Sequence, residues 1–449
     1  MFLRSTKKTI VIAGAGFGGL RTALDLDRAF KKNPRLARDY NLYLIDQNDH
    51  HLFMPSVYEI ATTLFDDAKV KELKDSITLP LEQIFKNGPL KFHRARIEKI
   101  NPLAQKMILN DRVQLKFDYL IMALGAETNF YDIPGLKEKA LTLSNLNSAV
   151  KIRNEIEKKF CEALESKKVF KIVLGGGGVT GVELAGEMCG YIKKLNKKYD
   201  AHIKPQTTII EGQKDILPGF DSKLVLWARK RLEKLGVKIV TGDLIEEIRF
   251  ESVLTQSGGR FDFDVLIWSG GIKPNHLINN LPFKKDPRGR VMIKKNFCPM
   301  IEAATPQTTG ECSNVLVIGD NCCLMERGRP LPQTAQMAID EGRQAAKIIL
   351  AKIHPVRGRG SLFRDAIQSI TQLAASNGTV PPYKPIPNRY ILPIGGKFAL
   401  ADLSSIKLKG FLVWLLKELV FLNYLISILP LPQALTHWFK AIRLFVKND

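Results

Sequence analysis

With 449 residues, 45% of them hydrophobic and 25% charged, the chain has the composition of a globular protein of two or three domains, which excludes general disorder. A net charge of +22, spread along the whole chain, favours an anionic partner. No nucleic-acid-binding motif accompanies it, so an acidic membrane surface is expected rather than RNA or DNA. Six cysteines without a CxxC pair or metal-ligand spacing point to reduced thiols and no metal centre.

The first apolar run, residues 9–13, reads as a buried parallel strand and begins too early to leave room for a signal peptide. It enters Gly14-Ala15-Gly16-Phe17-Gly18-Gly19, followed by a helical pattern. Gly14, Gly16 and Gly19 fit G-x-G-x-x-G: a tight turn, a close approach to a pyrophosphate, and close helix–strand packing. The helix start would offer its unpaired N–H groups to the phosphates. A second strand, 42–46, ends in Asp46, suited to accept from adenosine ribose hydroxyls or to be an ordinary strand-end carboxylate. It lies about 30 residues past the turn rather than ~20, the surplus falling in the polar stretch 31–40. The strand 117–125 closes the unit, with Ala123 and Gly125 small enough for backbone to approach a ligand.

After a linker at 129–135 the design repeats. Strand 170–174 leads into Gly176-Gly177-Gly178-Val179-Thr180-Gly181, strand 207–211 ends in Glu211, and strand 263–271 ends in Gly270-Gly271. Glu211 would repel a 2′-phosphate, so this site should prefer NADH to NADPH. One such motif is weak evidence; two in the same strand–turn–helix context indicate two dinucleotide sites. A strand ending in Gly319-Asp320 and a helix over about 333–350 follow. The expected fold is α/β: two doubly wound Rossmann-like sheets, residues 140–289 inserted between 7–139 and 290–390, with 391–449 as a C-terminal segment.

Residues 411–429 approach the length that spans a bilayer, about 20 apolar residues. Lys417 and Glu418 would each cost roughly 2.5–3.5 kcal/mol at a membrane centre, which disfavours spanning and suggests partial packing on protein. Beyond Pro430 and Pro432 a helix carries Leu435, Trp438, Phe439, Ile442 and Phe445 on one face and Lys440, Arg443 and Lys447 on another. That pattern suits a helix lying in the membrane interface, or one packed on a domain or a dimer partner.

Together these residues resemble the two-dinucleotide flavoprotein reductases, with FAD on the first site and NAD(P)H on the second. Residues 48–61, NDHHLFMPSVYEIA, look like a stretch of type II NADH:quinone oxidoreductases, the single-subunit, non-pumping respiratory enzymes. ALGAETN at 123–129 with Ile133-Pro134-Gly135, GGVTGVE at 177–183 and TAQMA at 334–338 are similar to further signatures of that family. The resemblance implies hydride transfer from NADH to FAD, then reduction of a membrane quinone, on an enzyme anchored by its C-terminal helices to the cytoplasmic face of the inner membrane. A homodimer is compatible with it.

The resemblance carries roles to Glu183, near the nicotinamide–flavin contact, and to Gln336, near flavin and quinone. Glu183 could equally complement the helix dipole, and Gln336 be a polar helix-start residue. The candidate cofactor contacts are Gly14, Gly16, Phe17, Gly18, Gly19, Asp46, Ile97, Ala123, Gly125, Gly319, Asp320 and Ala338, with Gly176, Gly178, Val179, Thr180, Gly181, Glu211, Gly270 and Gly271. His50 and His51 are expected to anchor a loop rather than bind metal. Two features depart from the family pattern: Asp340 stands where a second glutamine is common, and 355–389 is longer than usual. A sulfide:quinone-type oxidoreductase is the nearest rival, but paired redox cysteines in that family's contexts are missing. A soluble NADH:acceptor reductase and an NADH-sensing flavoprotein share both turns and stay open.

Overall fold

The computed structural model describes residues 7–302, 312–353 and 380–448. The part of the long 355–389 stretch before residue 380 falls outside them. Two compact units divide the chain: 1–51, 80–127 and 273–386 form the first, and 52–79, 128–272 and 387–449 the second.

The first unit is built on five parallel strands in the order Val315–Val317, Tyr119–Met122, Lys8–Ala13, Tyr40–Asp46, Leu90–Arg94. Residues Ile10 to Ala13 are all fully buried, as a parallel strand covered on both faces requires. The helix Phe17–Lys32 packs along Ala335–Ile353 at unusually close range. A Cβ on Gly342 would overlap Gly18 O, and Thr22 Oγ1 donates to both Gly18 O (2.9 Å) and Gly342 O (3.0 Å).

The second unit repeats the plan, with parallel strands in the order Leu141–Thr142, Val265–Trp268, Lys171–Gly175, Gln206–Glu211, Val237–Thr241. Helices Leu146–Ser166, Val179–Lys198 and Ser222–Lys234 accompany it. Asn145 and Ser148 form a reciprocal capping box at the start of the first of these.

The expected boundaries shift. Residues 128–139 belong with the second unit because Leu136 sits in its core beside Val173, Ile210 and Trp268, and Ile248 N donates to Pro134 O (2.9 Å). Residues 273–289 belong with the first, where Asn275 N donates to Gly125 O (3.3 Å).

The C-terminal segment is part of the second unit rather than a body apart. Glu187 accepts from Gly395 N (3.1 Å) and Gly396 N (3.3 Å), and Arg231 donates to Ile394 O (3.0 Å) and Gly395 O (2.6 Å). The helix Phe411–Ile428 buries Val413 and Trp414 against Ala399 and Ala401, and leaves Leu412, Leu415, Leu419 and Ile426 exposed. It is long and apolar enough to cross a membrane by length and composition. In the helix Leu431–Asn448 the outward face differs from the one expected. Phe445 is fully buried near Phe421 (6.2 Å between rings), whereas Leu431, Phe439 and Val446 face outward with Lys440, Arg443 and Lys447. Helical spacing found the stripe but not which side the protein covers.

Candidate dinucleotide-binding sites

At the first turn Gly14 has φ +101° and its N–H donates to Ile45 O (2.8 Å). A Cβ there would overlap Ala123 O, and one on Gly19 would overlap Gly14 O. Gly16 caps the helix without any side-chain hydrogen bond, and open space surrounds its Cβ position. The capping glycine therefore brings no side chain of its own towards a phosphate bound at the start of Phe17–Lys32. Asp46 Oδ2 accepts from Ala15 N (2.7 Å) and Oδ1 from Asn48 N (2.8 Å), which fixes the carboxylate at the end of its strand.

Beside the turn, His51 Nδ1–H donates to Ala15 O (2.8 Å) and its ring meets Phe17 edge-on at 5.0 Å. Burial pushes its pKa down to about 4, so it is a neutral anchor at physiological pH, while His50 pairs with Asp49 (2.7 Å) at the surface. Ala338 O is 3.0 Å from a Cβ built on Gly18. Ala123 and Gly125 follow the strand next to the central one. Ile97 is the buried first residue of an edge strand of an antiparallel sheet, two residues beyond Ala95, whose N–H donates to Asp46 O (2.8 Å).

Gly319, Asp320 and Asn321 form a short 3-10 turn at the end of Val315–Val317. Burial raises the Asp320 pKa. Asn321 is fully buried and its amide has no hydrogen-bond partner among the described residues. An uncapped helix start, a glycine cradle and an orphaned amide fit a dinucleotide such as FAD. Sequence reading missed Glu341: it is buried, accepts from Gly319 N (2.6 Å), and burial pushes its carboxyl up to about 8. Gln336 is half-buried near the start of Ala335–Ile353, and Asp340 accepts from Tyr383 Oη (2.8 Å).

The second turn repeats this geometry. Gly176 has φ +102° and donates to Ile210 O (2.8 Å), and a Cβ on Gly181 would overlap Gly176 O. Gly178 caps Val179–Lys198 without a side-chain bond and has open space around it. Glu211 Oε2 accepts from Gly177 N (2.7 Å) and Oε1 from Gln213 N (2.8 Å). Gly270 lies across the turn, where a Cβ on Gly176 would meet its backbone. Val179 and Thr180 occupy the first helical turn and are exposed.

Glu183, one turn further, keeps some contact with solvent, yet surrounding protein pushes its carboxyl up to about 8. Desolvation dominates, Glu187 adds to it, and Lys417 opposes it. That lysine belongs to a charged cluster invisible in the sequence. Lys417 Nζ lies 2.8 Å from Tyr58 Oη, 3.0 Å from Glu418 Oε1 and 3.7 Å from Glu59 Oε1. Both carboxylates are fully buried, and Asn448 Nδ2 donates to Glu59 Oε2 (2.7 Å). The lone acid Glu59 within an apolar stretch was the signal available.

The described cysteines are free thiols. Cys322 is buried beside Glu341 (3.7 Å) and its pKa is raised by burial, the opposite of an activated thiolate.

Two parallel sheets that share a four-strand order, each with an uncapped glycine turn and a strand-end carboxylate, define a two-dinucleotide oxidoreductase. The chain belongs to the pyridine nucleotide-disulphide oxidoreductase family, whose sequence profile matches residues 8–342. Within it the chain is a member of the type II NADH:quinone oxidoreductases: that of Staphylococcus haemolyticus is 30% identical over 353 residues, 76% of this chain and 82% of the relative. The fold is similar to NDH2 from Plasmodium falciparum in complex with NADH, at TM-score 0.72 and 18% identity over 97% and 98% of the two chains. It is also similar to the sulfide:quinone oxidoreductase of Aquifex aeolicus, at TM-score 0.67 and 15% identity over 93% and 90%.

Proposed function

We propose that this chain oxidises NADH and reduces a membrane quinone through FAD, working at a membrane surface. The observation that carries the reading is the second, structurally equivalent glycine turn, which provides a nicotinamide-nucleotide site besides the flavin site. When bound, FAD supplies the redox chemistry, accepting a hydride from NADH and passing two electrons to the quinone.

Gly14, Gly16, Phe17, Gly18 and Gly19 hold the flavin pyrophosphate, and Asp46 the adenosine ribose. Ile97, Ala123, Gly125, Gly319, Asp320 and Ala338 complete the flavin contacts. Gly176, Gly178, Val179, Thr180, Gly181, Gly270 and Gly271 hold NADH, and Glu211 its ribose. Glu183, protonated below about pH 8, keeps a proton available to the reduced quinone. Gln336 donates its amide N–H to a quinone carbonyl.

Membrane docking is supported by the exposed Leu412, Leu415 and Leu419 on Phe411–Ile428 and by the exposed Phe439, Lys440, Arg443 and Lys447 on Leu431–Asn448. The anionic cytoplasmic face of the inner membrane is the surface these groups suit. A second copy of the chain is the competing occupant of the apolar stripe. Leu412→Glu with Leu419→Glu would release the protein from anionic vesicles and leave NADH oxidation by a soluble dye intact. Removing the whole tail is a poorer test, because Val413 and Trp414 are core residues.

The deciding experiment is anaerobic stopped-flow on the flavin-loaded chain. NADH should bleach the flavin band quickly, and a short-chain quinone should restore it. Bleaching without recovery leaves an NADH-binding flavoprotein and removes the quinone-reductase reading.

A further inference from the structure

The second turn has a neighbour that no motif announces. Tyr131 and Asp132 are consecutive non-glycine residues with left-handed backbones, φ +50° and +54°. This conformation is unfavourable for an aromatic residue and persists only where its surroundings hold it. Here they do. Tyr131 N donates to Asn129 Oδ1 (3.0 Å), Asn129 N donates to Gly271 O (3.0 Å), and Trp268 Nε1 donates to Asn129 O (2.7 Å).

The reward is not burial. Tyr131 is 57% exposed, and its ring meets Trp268 edge-on, at 6.4 Å between centroids. It stands over Gly271, where a Cβ would overlap the tyrosine hydroxyl. Gly270 and Gly271 follow the strand Val265–Trp268, which lies beside the central Lys171–Gly175 on the side away from Gln206–Glu211.

Strand order reverses between those two strands, and a dinucleotide lies across the carboxyl ends of strands at such a reversal. Glu211 marks the adenosine half. The nicotinamide half then falls on the Gly270–Gly271 side, under an exposed aromatic ring already held in place.

We propose that Tyr131 binds the nicotinamide riboside half of NADH by stacking, closing the open side of the crevice above Gly271. The inference rests on the NADH reading of the second turn. An offset or edge-on aromatic contact with a planar heterocycle is the interaction such a ring provides.

The test compares NAD⁺ with ADP-ribose, which shares the adenosine and pyrophosphate but lacks nicotinamide. Binding of each to the flavin-loaded full chain is measured by calorimetry. Tyr131→Asn removes the ring while suiting the left-handed backbone, and Tyr131→Gly is a second ringless variant with the same tolerance. Thermal midpoint and bound flavin confirm that each is folded. The expected result is NAD⁺ binding about tenfold weaker in both variants, about 1.4 kcal/mol, with ADP-ribose unchanged and Tyr131→Phe like wild type. Equal weakening of both ligands would reveal a role in turn geometry alone and overturn the stacking contact, as would no weakening of either. Failure of the wild-type chain to bind ADP-ribose would remove the nucleotide site itself.

Discussion

Asp46 and Glu211 are equivalent residues of two sheets: each ends the strand after a glycine turn and accepts one backbone N–H from that turn, at 2.7 Å in both cases. A second oxygen of each accepts from the residue two places on. Both carboxylates are thus locked where ribose hydroxyls would reach them. Glu211→Gln keeps acceptor capacity towards Gly177 but removes the charge facing a 2′-phosphate. It should narrow the preference for NADH over NADPH about tenfold, roughly 1.4 kcal/mol, read as the ratio of kcat/KM values.

The two turns can be separated by matched substitutions. Gly19→Val and Gly181→Val each drive a side chain into the carbonyl of the first glycine of its own turn. The first should yield protein with little bound flavin, measured from the visible absorbance of the purified chain. The second should keep flavin and lose reduction by NADH.

Glu183 predicts a pH dependence of definite sign. Its carboxyl is pushed from 4.5 up to about 8, so the proton is held below about pH 8. A proton-dependent rate falls as pH rises through that value, and Glu183→Gln should remove this limb and slow quinone reduction roughly 10²-fold. The linked stability is fully present below 4.5 and declines as pH rises through about 8, a decline the variant should lack in thermal unfolding.

Lys417→Met removes the ammonium facing the fully buried Glu59 and Glu418. A buried pair broken from one side costs about 3–5 kcal/mol. Thermal unfolding should report a clear drop in midpoint, with Lys417→Arg much closer to wild type.

Local patterns served well wherever neighbours in sequence carry the information. The runs ending at Ala13 and Gly175 are strands whose buried residues, 10–13 and 172–175, are apolar without a break, and the turns are legible because only glycine tolerates φ near +100° with backbone in the way of a Cβ. Lys417 and Glu418 illustrate the limit. Their charges argued correctly for protein packing, but nothing local named Tyr58 and Glu59 as the partners, some 359 residues away for Tyr58. Which side of the last helix faces outward is hidden for the same reason, since Phe445 is apolar whether it meets lipid or Phe421.

The sequence by itself determined the two glycine turns, their strand-end acids and the family, because each is a short-range pattern that backbone sterics and phosphate binding impose on adjacent residues. Only the tertiary structure decided which segments join which unit, that Glu183 and Glu341 are pushed up to about 8, and that Tyr131 stands over Gly271. Those properties depend on desolvation and on contacts between residues far apart in the chain.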